Sequence, residues 1–537
     1  VSGALTQTGD IAIDVATGKT LTYSGPSLSL GANKLTLTGG GTFNNTNALV
    51  LYYADSLLSL AGILTIGDVD GTGDSNPGKG IQVISSATLG DYDLSAVSYL
   101  SLAANQTLDG QLNLQTNGEL KTSGGGQCIG DIKLAGGKFS ATDNQVLGGT
   151  LSITADSELT VSQGYSLTLS QAGGLALGAN KLIISGGGSL VSGGMTLNNA
   201  DSKLLLNSIT LDSVSTSANS LGLDVDNNST ITALSVGHIT PVSIAAGKSL
   251  SGAVTVTAGS LKLNETGTLA STIAMSGGTL DSDETSTVSG ALTQTADITI
   301  DVATGKILTY SGAAISVGAN TITLSGGGSF VSGGLTLNDA NSKLLLNSIT
   351  LDSASTSANS LGIDVDANST VTSLSVGHIT PVSIAAAKSL SGAITVSAGS
   401  LKLTEAGTLA SIIAMSGGIL DADESSTVSG ALSHSADITI DVATNKTLTY
   451  SGAAVNLGAK TLTLIGGGTL ANTNALVLNN ANSLLSLDDT LTVGLVSVTV
   501  GNNANKGLAV NVSGTLSSLV VSANTSLNIA NGITLSG

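Results

Sequence analysis

Lys34-Leu35-Thr36-Leu37-Thr38 alternates polar and apolar side chains, and Gly39-Gly40-Gly41 follows it at once. Alternation with period two puts Leu35 and Leu37 on one face of a strand and the polar residues on the other. The glycines supply the positive φ of a turn. Ile298-Thr299-Ile300-Asp301-Val302 reads the same way. Elsewhere the chain is filled with Gly, Ser, Thr, Val, Ile and Asn, which favour strands and turns over helix interiors.

The opening stretch recurs. LGANKLTLTGGGTF at 30–43 returns as LGANKLIISGGGSL at 177–190, VGANTITLSGGGSF at 317–330 and LGAKTLTLIGGGTL at 457–470. VSGALTQT at 1–8 recurs at 288–295 and, as VSGALSHS, at 428–435. The steps define four tandem units, 1–147, 148–287, 288–427 and a shorter 428–537. The fourth aligns with the first without a gap, Leu49-Val50-Leu51 falling on Leu476-Val477-Leu478 and Gly110 on Gly537. The sequence thus stops in mid-unit, which reads as a slice of a longer array or as a monomer whose end meets another chain, and it opens on Val1 without Met or signal peptide, which reads as a mature or excised segment.

Within a unit, a turn followed by an apolar anchor recurs at Leu308, Ile322, Leu344, Val371, Leu390, Leu401 and Leu420. At about 20 residues per coil, a unit of 140 residues holds about seven coils. One such strand cannot bury its apolar face alone. Stacked coils align Leu, Val and Ile into ladders and close the backbone hydrogen bonds from coil to coil. The expected fold is therefore all-β, a parallel β-solenoid that runs through all four units. A β-propeller is the rival, but its repeat of about 40–50 residues fits the anchor spacing poorly.

Composition narrows function. All 17 basic residues are Lys, against 36 Asp+Glu, for a net charge of −19. That balance excludes nucleic acid as a partner, since phosphate contact needs a basic surface. An apolar content of 41% with 10% charged residues is wrong for disorder. No apolar run approaches the ~20 residues of a membrane-spanning helix.

GDVDGTGDSNPGKG at 67–80 is the most site-like segment. Asp68, Asp70 and Asp74, interleaved with Gly71 and Gly73, resemble oxygen-rich calcium loops. They are the candidate metal ligands, and calcium the candidate ion. Their counterparts in the fourth unit are Leu495, Ser497 and Gly501, so the array as a whole requires no cofactor at this phase. A solvated acidic loop is the alternative. Asp224/Asp226 match Asp364/Asp366, and Asp281/Asp283/Glu284 match Asp421/Asp423/Glu424. Pairs that recur with the repeat read as surface solvation and edge protection rather than one catalytic constellation. His238 and His378, each before Ile-Thr-Pro, read as turn residues, and His434 is isolated. Cys128 has no partner for a disulfide and reads as a buried small residue. The glycine triplets do not lead into Lys-Ser/Thr and a helix, so they are turns, not phosphate cradles. Tyr23, Tyr310 and Tyr450 share one phase and read as coil-edge packing, with Leu169 in their place in the second unit. Tyr52, Tyr53, Tyr92 and Tyr99 belong to the first unit alone, where a binding surface is best sought.

GALTQTADITIDVATGKILTYSGA at 290–313 and AGSLKLTEAGTLA at 398–410 resemble the passenger repeats of bacterial autotransporters and filamentous-haemagglutinin-type adhesins. The resemblance spans nearly the whole chain. It implies a right-handed β-helix, an extracellular or cell-surface location, and an adhesive or scaffolding role. The favoured expectation is a non-enzymatic structural rod or filament, a surface fibre, stalk or sheath. Neither end carries an obvious polar capping segment, so end-to-end self-association is expected. The alternative is an adhesin that binds a glycan or host-surface protein through its flank. A polysaccharide lyase or hydrolase on a β-helix is third. The absence of Trp and Arg argues against it, because sugar stacking and carboxylate clamps favour those residues.

Overall fold

Inter-turn hydrogen bonding organises the chain. The computed structural model describes every residue from Val1 to Gly537. It holds strands, turns and bends, and no helix long and apolar enough to cross a membrane. Two compact units form, Val1–Ile273 and Ala274–Gly537. The division falls inside the second sequence repeat, 148–287.

In Val1–Ile273 one turn runs through three strands. Lys34–Gly39 is followed by a corner at Gly40-Gly41, then Thr42–Asn45, then Leu49–Leu51. Leu57–Leu60 starts the next turn. Each strand pairs in parallel with its equivalents on neighbouring turns: Leu35 with Leu58, Leu58 with Ile81, Phe43 with Ile66, Leu49 with Val69. The ladder from Ile11–Val15 to Ser260–Leu263 holds thirteen strands. Ala274–Gly537 is built likewise, with thirteen strands from Thr279–Ser282 to Leu527–Ile529. Seven of these, from Ile298–Val302 to Ile419–Ala422, fall within sequence repeat 288–427. Both units are parallel β-solenoids, and the parallel pairing excludes the antiparallel blades of a propeller. Turn length varies, however. In-register partners lie 19 residues apart at Leu204 and Leu223 and 25 apart at Leu159 and Ile184.

The core is a set of apolar columns. Leu37, Leu60, Val83 and Leu102 stand in register on successive turns with no exposed surface. Burying each such side chain contributes roughly 1.5–3 kcal/mol, and only the neighbouring turns supply that burial. The corners demand glycine. Gly39, Gly186, Gly326 and Gly466 open the four triplets at φ of 94°, 111°, 102° and 103°. A Cβ there would lie 2.1–2.4 Å from the carbonyl oxygens of Val15, Val161, Val302 and Val442 on the preceding turn. The triplets are therefore close-approach corners.

A second device fastens turn to turn. Ser56, Ser202, Ser342 and Ser483 are fully buried. Their hydroxyls donate to the carbonyls of Gly31, Gly178, Gly318 and Gly458 one turn earlier. Each also accepts a local backbone amide, from Tyr53, Asn199, Asp339 and Asn480 respectively. Removing such a hydroxyl leaves buried backbone groups unpaired, at about 1–3 kcal/mol.

The alternation makes a direct prediction. Leu344 is fully buried, whereas Leu345 beside it points outward and is half-buried. Leu344→Ala is expected to destabilise by ~2–5 kcal/mol and Leu345→Thr by no more than ~0.5 kcal/mol, measured by denaturant unfolding. Equal losses would contradict the inward–outward assignment.

Candidate functional site

The acidic loop is held by the ladder rather than apart from it. Val69–Gly71 pairs with Leu49–Leu51 on one side and Ala87–Leu94 on the other, so Val50, Asp70 and Asp93 stand in one outward row. Asp68 accepts the Asp91 amide at 3.0 Å, and Asp74 accepts the Val97 amide at 2.9 Å. Both carboxylates thus tie a corner to the next turn. Asp70 faces Asp93, which itself accepts the Asn113 side-chain amide at 2.7 Å. Burial raises the Asp70 carboxyl above its ordinary range, and the charges of Asp93 and Asp68 add to that. No group of three or more His, Cys, Asp or Glu gathers in a geometry suited to a metal ion. Asp68 and Asp70 lie near one another, while Asp74 is engaged elsewhere.

The recurrent acidic pairs find lysines. Lys203 meets Asp224 at 2.6 Å, and Lys343 meets Asp364. Lys402 meets Asp421 at 3.2 Å and Asp423 at 2.8 Å, and Lys446 meets Glu424 at 2.6 Å. In each case the lysine sits one turn away. Such half-exposed pairs contribute ~0–1 kcal/mol each and chiefly fix which outward rows sit together. One outward position departs from the pattern. Asp14 accepts the Thr38 hydroxyl at 2.8 Å and Asp301 accepts that of Ser325, but the partner of Asp441 is Ile465. Burial, together with the charge of Asp423, raises the Asp441 carboxyl.

His238 and His378 are exposed, and each carbonyl accepts the hydroxyl of the threonine two residues on, Thr240 and Thr380. His434 occupies the position of Gln294 and donates from Nδ1 to the Ala436 carbonyl at 3.0 Å. Cys128 is fully buried between Leu108 and Leu147, and burial pushes its thiol up to about 12, which leaves no thiolate at neutral pH.

Tyr23, Tyr310 and Tyr450 are buried edge residues. Their hydroxyls donate to the carbonyls of Pro26, Ala313 and Ala453 and accept the amides of Leu5, Leu292 and Leu432. Leu169 stands in that place in the second repeat, and Gln171 takes over the lost hydroxyl's work. Gln171 Oε1 accepts the Leu151 amide and its Nε2 donates to the Gly174 carbonyl. Sequence reading missed this exchange. The signal for it was the extra residue between Leu169 and Leu177 relative to Tyr310 and Val317. Of the first-repeat tyrosines, Tyr92 is buried against Ser98 at 2.6 Å, and Tyr99 lies 5.4 Å from the Lys121 ammonium. Tyr52 and Tyr53 are exposed.

Four shallow surface hollows share one phase of the turns, and a fifth, lined by Glu119, Lys138, Glu158 and Lys181, lies at a different corner. In the first unit the corner at Gly40, Gly41, Thr65 and Thr88 forms one, and Gly187, Thr210 and Thr230 form another. In the second unit Gly327, Thr350 and Thr370 line the same phase, as do Gly468, Thr492 and Thr515. The class defined by this fold is the parallel β-solenoid with a periodic surface. No family model, characterised protein or solved structure matches the chain.

Asp70 gives a test with a defined sign. Its raised folded value means that it stabilises most below its unfolded value, and that this contribution is lost as pH rises through the folded value. Asp70→Asn should therefore raise the unfolding midpoint at pH 7 in calcium-free buffer, by less than about 1 kcal/mol given its partial solvation. The gain should shrink as pH falls through the carboxylate range. In millimolar calcium an ion held by Asp68, Asp70 and Asp74 would reverse the sign, so the same titration reads the calcium expectation.

Proposed function

We propose that the chain is an extracellular, non-catalytic structural protein whose solenoid serves as a rod or filament element of a surface fibre, stalk or sheath. The observation that carries this reading is the sameness of its repeats. Glycine corners and buried serine staples recur once per sequence repeat, each at its own phase, and the recurrent acidic residues Asp224, Asp364, Asp421 and Glu424 meet lysines one turn away. Catalysis and selective ligand sites ordinarily need a concave, distinct pocket with convergent polar groups. A parallel ladder also presents a row of unpaired amides and carbonyls at its edges. A second copy in the same register would satisfy such an edge, and the contact, being heterologous, extends without closing. Head-to-tail self-association is thus part of the proposal. The resemblance to autotransporter passengers and filamentous-haemagglutinin-type adhesins, together with the acidic, Arg-free composition, supports a cell-surface setting.

A second reading, an adhesin that binds through its flank, is favoured by one observation. Departures from the common pattern concentrate in residues 1–147, where exposed aromatics and the acidic loop occur together.

Light scattering and negative-stain electron microscopy of the 537-residue chain over a concentration series test the first reading. We expect mass to grow with concentration and filaments to appear. Monodisperse monomers at every concentration would refute the assembly.

A further inference from the structure

The corner before each buried serine has a common build in three of the four sequence repeats. Asn198, Asn338 and Asn479 accept the backbone amides of Gly178, Gly318 and Gly458 one turn earlier, at 2.8–2.9 Å. The next residues, Asn199, Asp339 and Asn480, accept the amides of Asp201, Asn341 and Asn482 at 2.9–3.0 Å. Each corner therefore gains two side-chain caps. In the first repeat the same two positions are Tyr52 and Tyr53. A tyrosine side chain carries no carbonyl or carboxylate oxygen near the backbone, so both caps are missing. The rings instead lie in solvent, 58% and 51% exposed, edge to face with centroids 5.3 Å apart.

Two hydrogen bonds have been exchanged for two solvated aromatic rings at one place only. Local rules broken without a structural gain point to a functional site, and large exposed aromatics are the informative kind of exposed apolar group. The surroundings supply polar groups. Segment 72–76 stacks directly on 51–55: the Gly73 amide donates to Leu51 and the Asn76 amide to Ala54. Asn76 Nδ2 donates to Asp55 Oδ1 at 3.1 Å, and Asp74 uses Oδ1 for the Val97 amide. Asp55 and Asp74 are both exposed.

We propose that Tyr52 and Tyr53, with Asp55, Asp74 and Asn76, form a binding site for a neutral sugar ring. The aromatic faces take the apolar C–H face of a pyranose. Carboxylate and amide groups beside them are the acceptors and donors that pair with vicinal hydroxyls. Size decides against a protein partner. The patch is two side chains at one corner, whereas a stable protein interface needs about 800 Å² from each partner. Charge decides against an acidic sugar, which Asp55 and Asp74 would repel. The proposal deepens the flank-binding reading and rests on it.

The test uses the whole chain and its Tyr52→Asn/Tyr53→Asn variant, which restores the dipeptide found at Asn198-Asn199. Both are applied to an array of neutral oligosaccharides ending in glucose, galactose, mannose or N-acetylglucosamine, with denaturant unfolding run in parallel. We expect the parent chain to bind at least one, and the variant to lose tenfold or more in affinity while unfolding at an equal or higher denaturant concentration. The equal or higher midpoint separates lost binding from lost folding. A Tyr52→Phe/Tyr53→Phe variant keeps both rings and should stay within a few-fold of the parent; a loss as large as that of the Asn variant would overturn stacking. No binding by the parent chain would overturn the site and, for neutral glycans, the flank-binding reading with it. Unchanged binding by the Asn variant would overturn this site alone.

Discussion

The parallel hydrogen-bonded ladder between turns is the constraint on which the rest depends. A strand bonded to its equivalents on either side must share their register, because a one-residue slip would send its buried side chains outward. Leu37, Leu60, Val83 and Leu102 form a column for that reason. The turn between strands can lengthen or shorten; the strand cannot slide. Turn lengths of 19 to 25 residues therefore coexist with uninterrupted columns, and the added residues appear at corners.

Much of this was legible from local pattern. The alternation of Lys34–Thr38 and the glycine triplets specify a strand and a corner, and their fourfold occurrence specifies a stack. The number of turns per repeat also followed from length alone, since seven strands of one ladder fall within 288–427. What stayed hidden depends on partners about 20 residues away. Ser342 looks like any surface serine in sequence, and only the register places its hydroxyl on the Gly318 carbonyl. The pairs at Asp224 and Asp364 looked like solvated acids, yet lysines one turn away reach them. The calcium expectation for the acidic loop rests on spacing along the chain, and the sequence did not reveal what those carboxylates meet across the turns. Across the turns, Asp68 and Asp74 face backbone amides.

Near-identical repeats serve as internal controls. Where a residue changes and its work is inherited, the position is structural. Tyr310 gives way to Leu169 in the second repeat, and Gln171 restores both hydrogen bonds, one to each side. The edge needs an acceptor for one amide and a donor for one carbonyl, and either side chain can provide them. Where a residue changes and its work is not inherited, two outcomes follow. Asp441 lacks the hydroxyl partner that Asp14 and Asp301 have, and burial, with the charge of Asp423 added, raises its carboxyl. That change adds no new surface chemistry. At Tyr52-Tyr53 the loss of two caps adds exposed aromatic area.

These cases bear on how a repetitive solenoid can acquire a specific function. Inward positions are fixed by columns that neighbouring turns share, so a substitution there is felt beyond its own turn. Corner and outward positions carry weaker bonds, worth about a kilocalorie per mole each, and there a loss is tolerated. A single corner can therefore be rebuilt while the register on both sides of it holds. In this chain the altered corner is the one where segment 72–76 stacks on residues 51–55, and the acidic side chains there are as particular to the first repeat as the rings, since Asn482 and Gly501 stand at the positions of Asp55 and Asp74 in the fourth. Specificity in such a fold requires no new pocket, only one departure from periodicity beside groups that the periodic scaffold holds still.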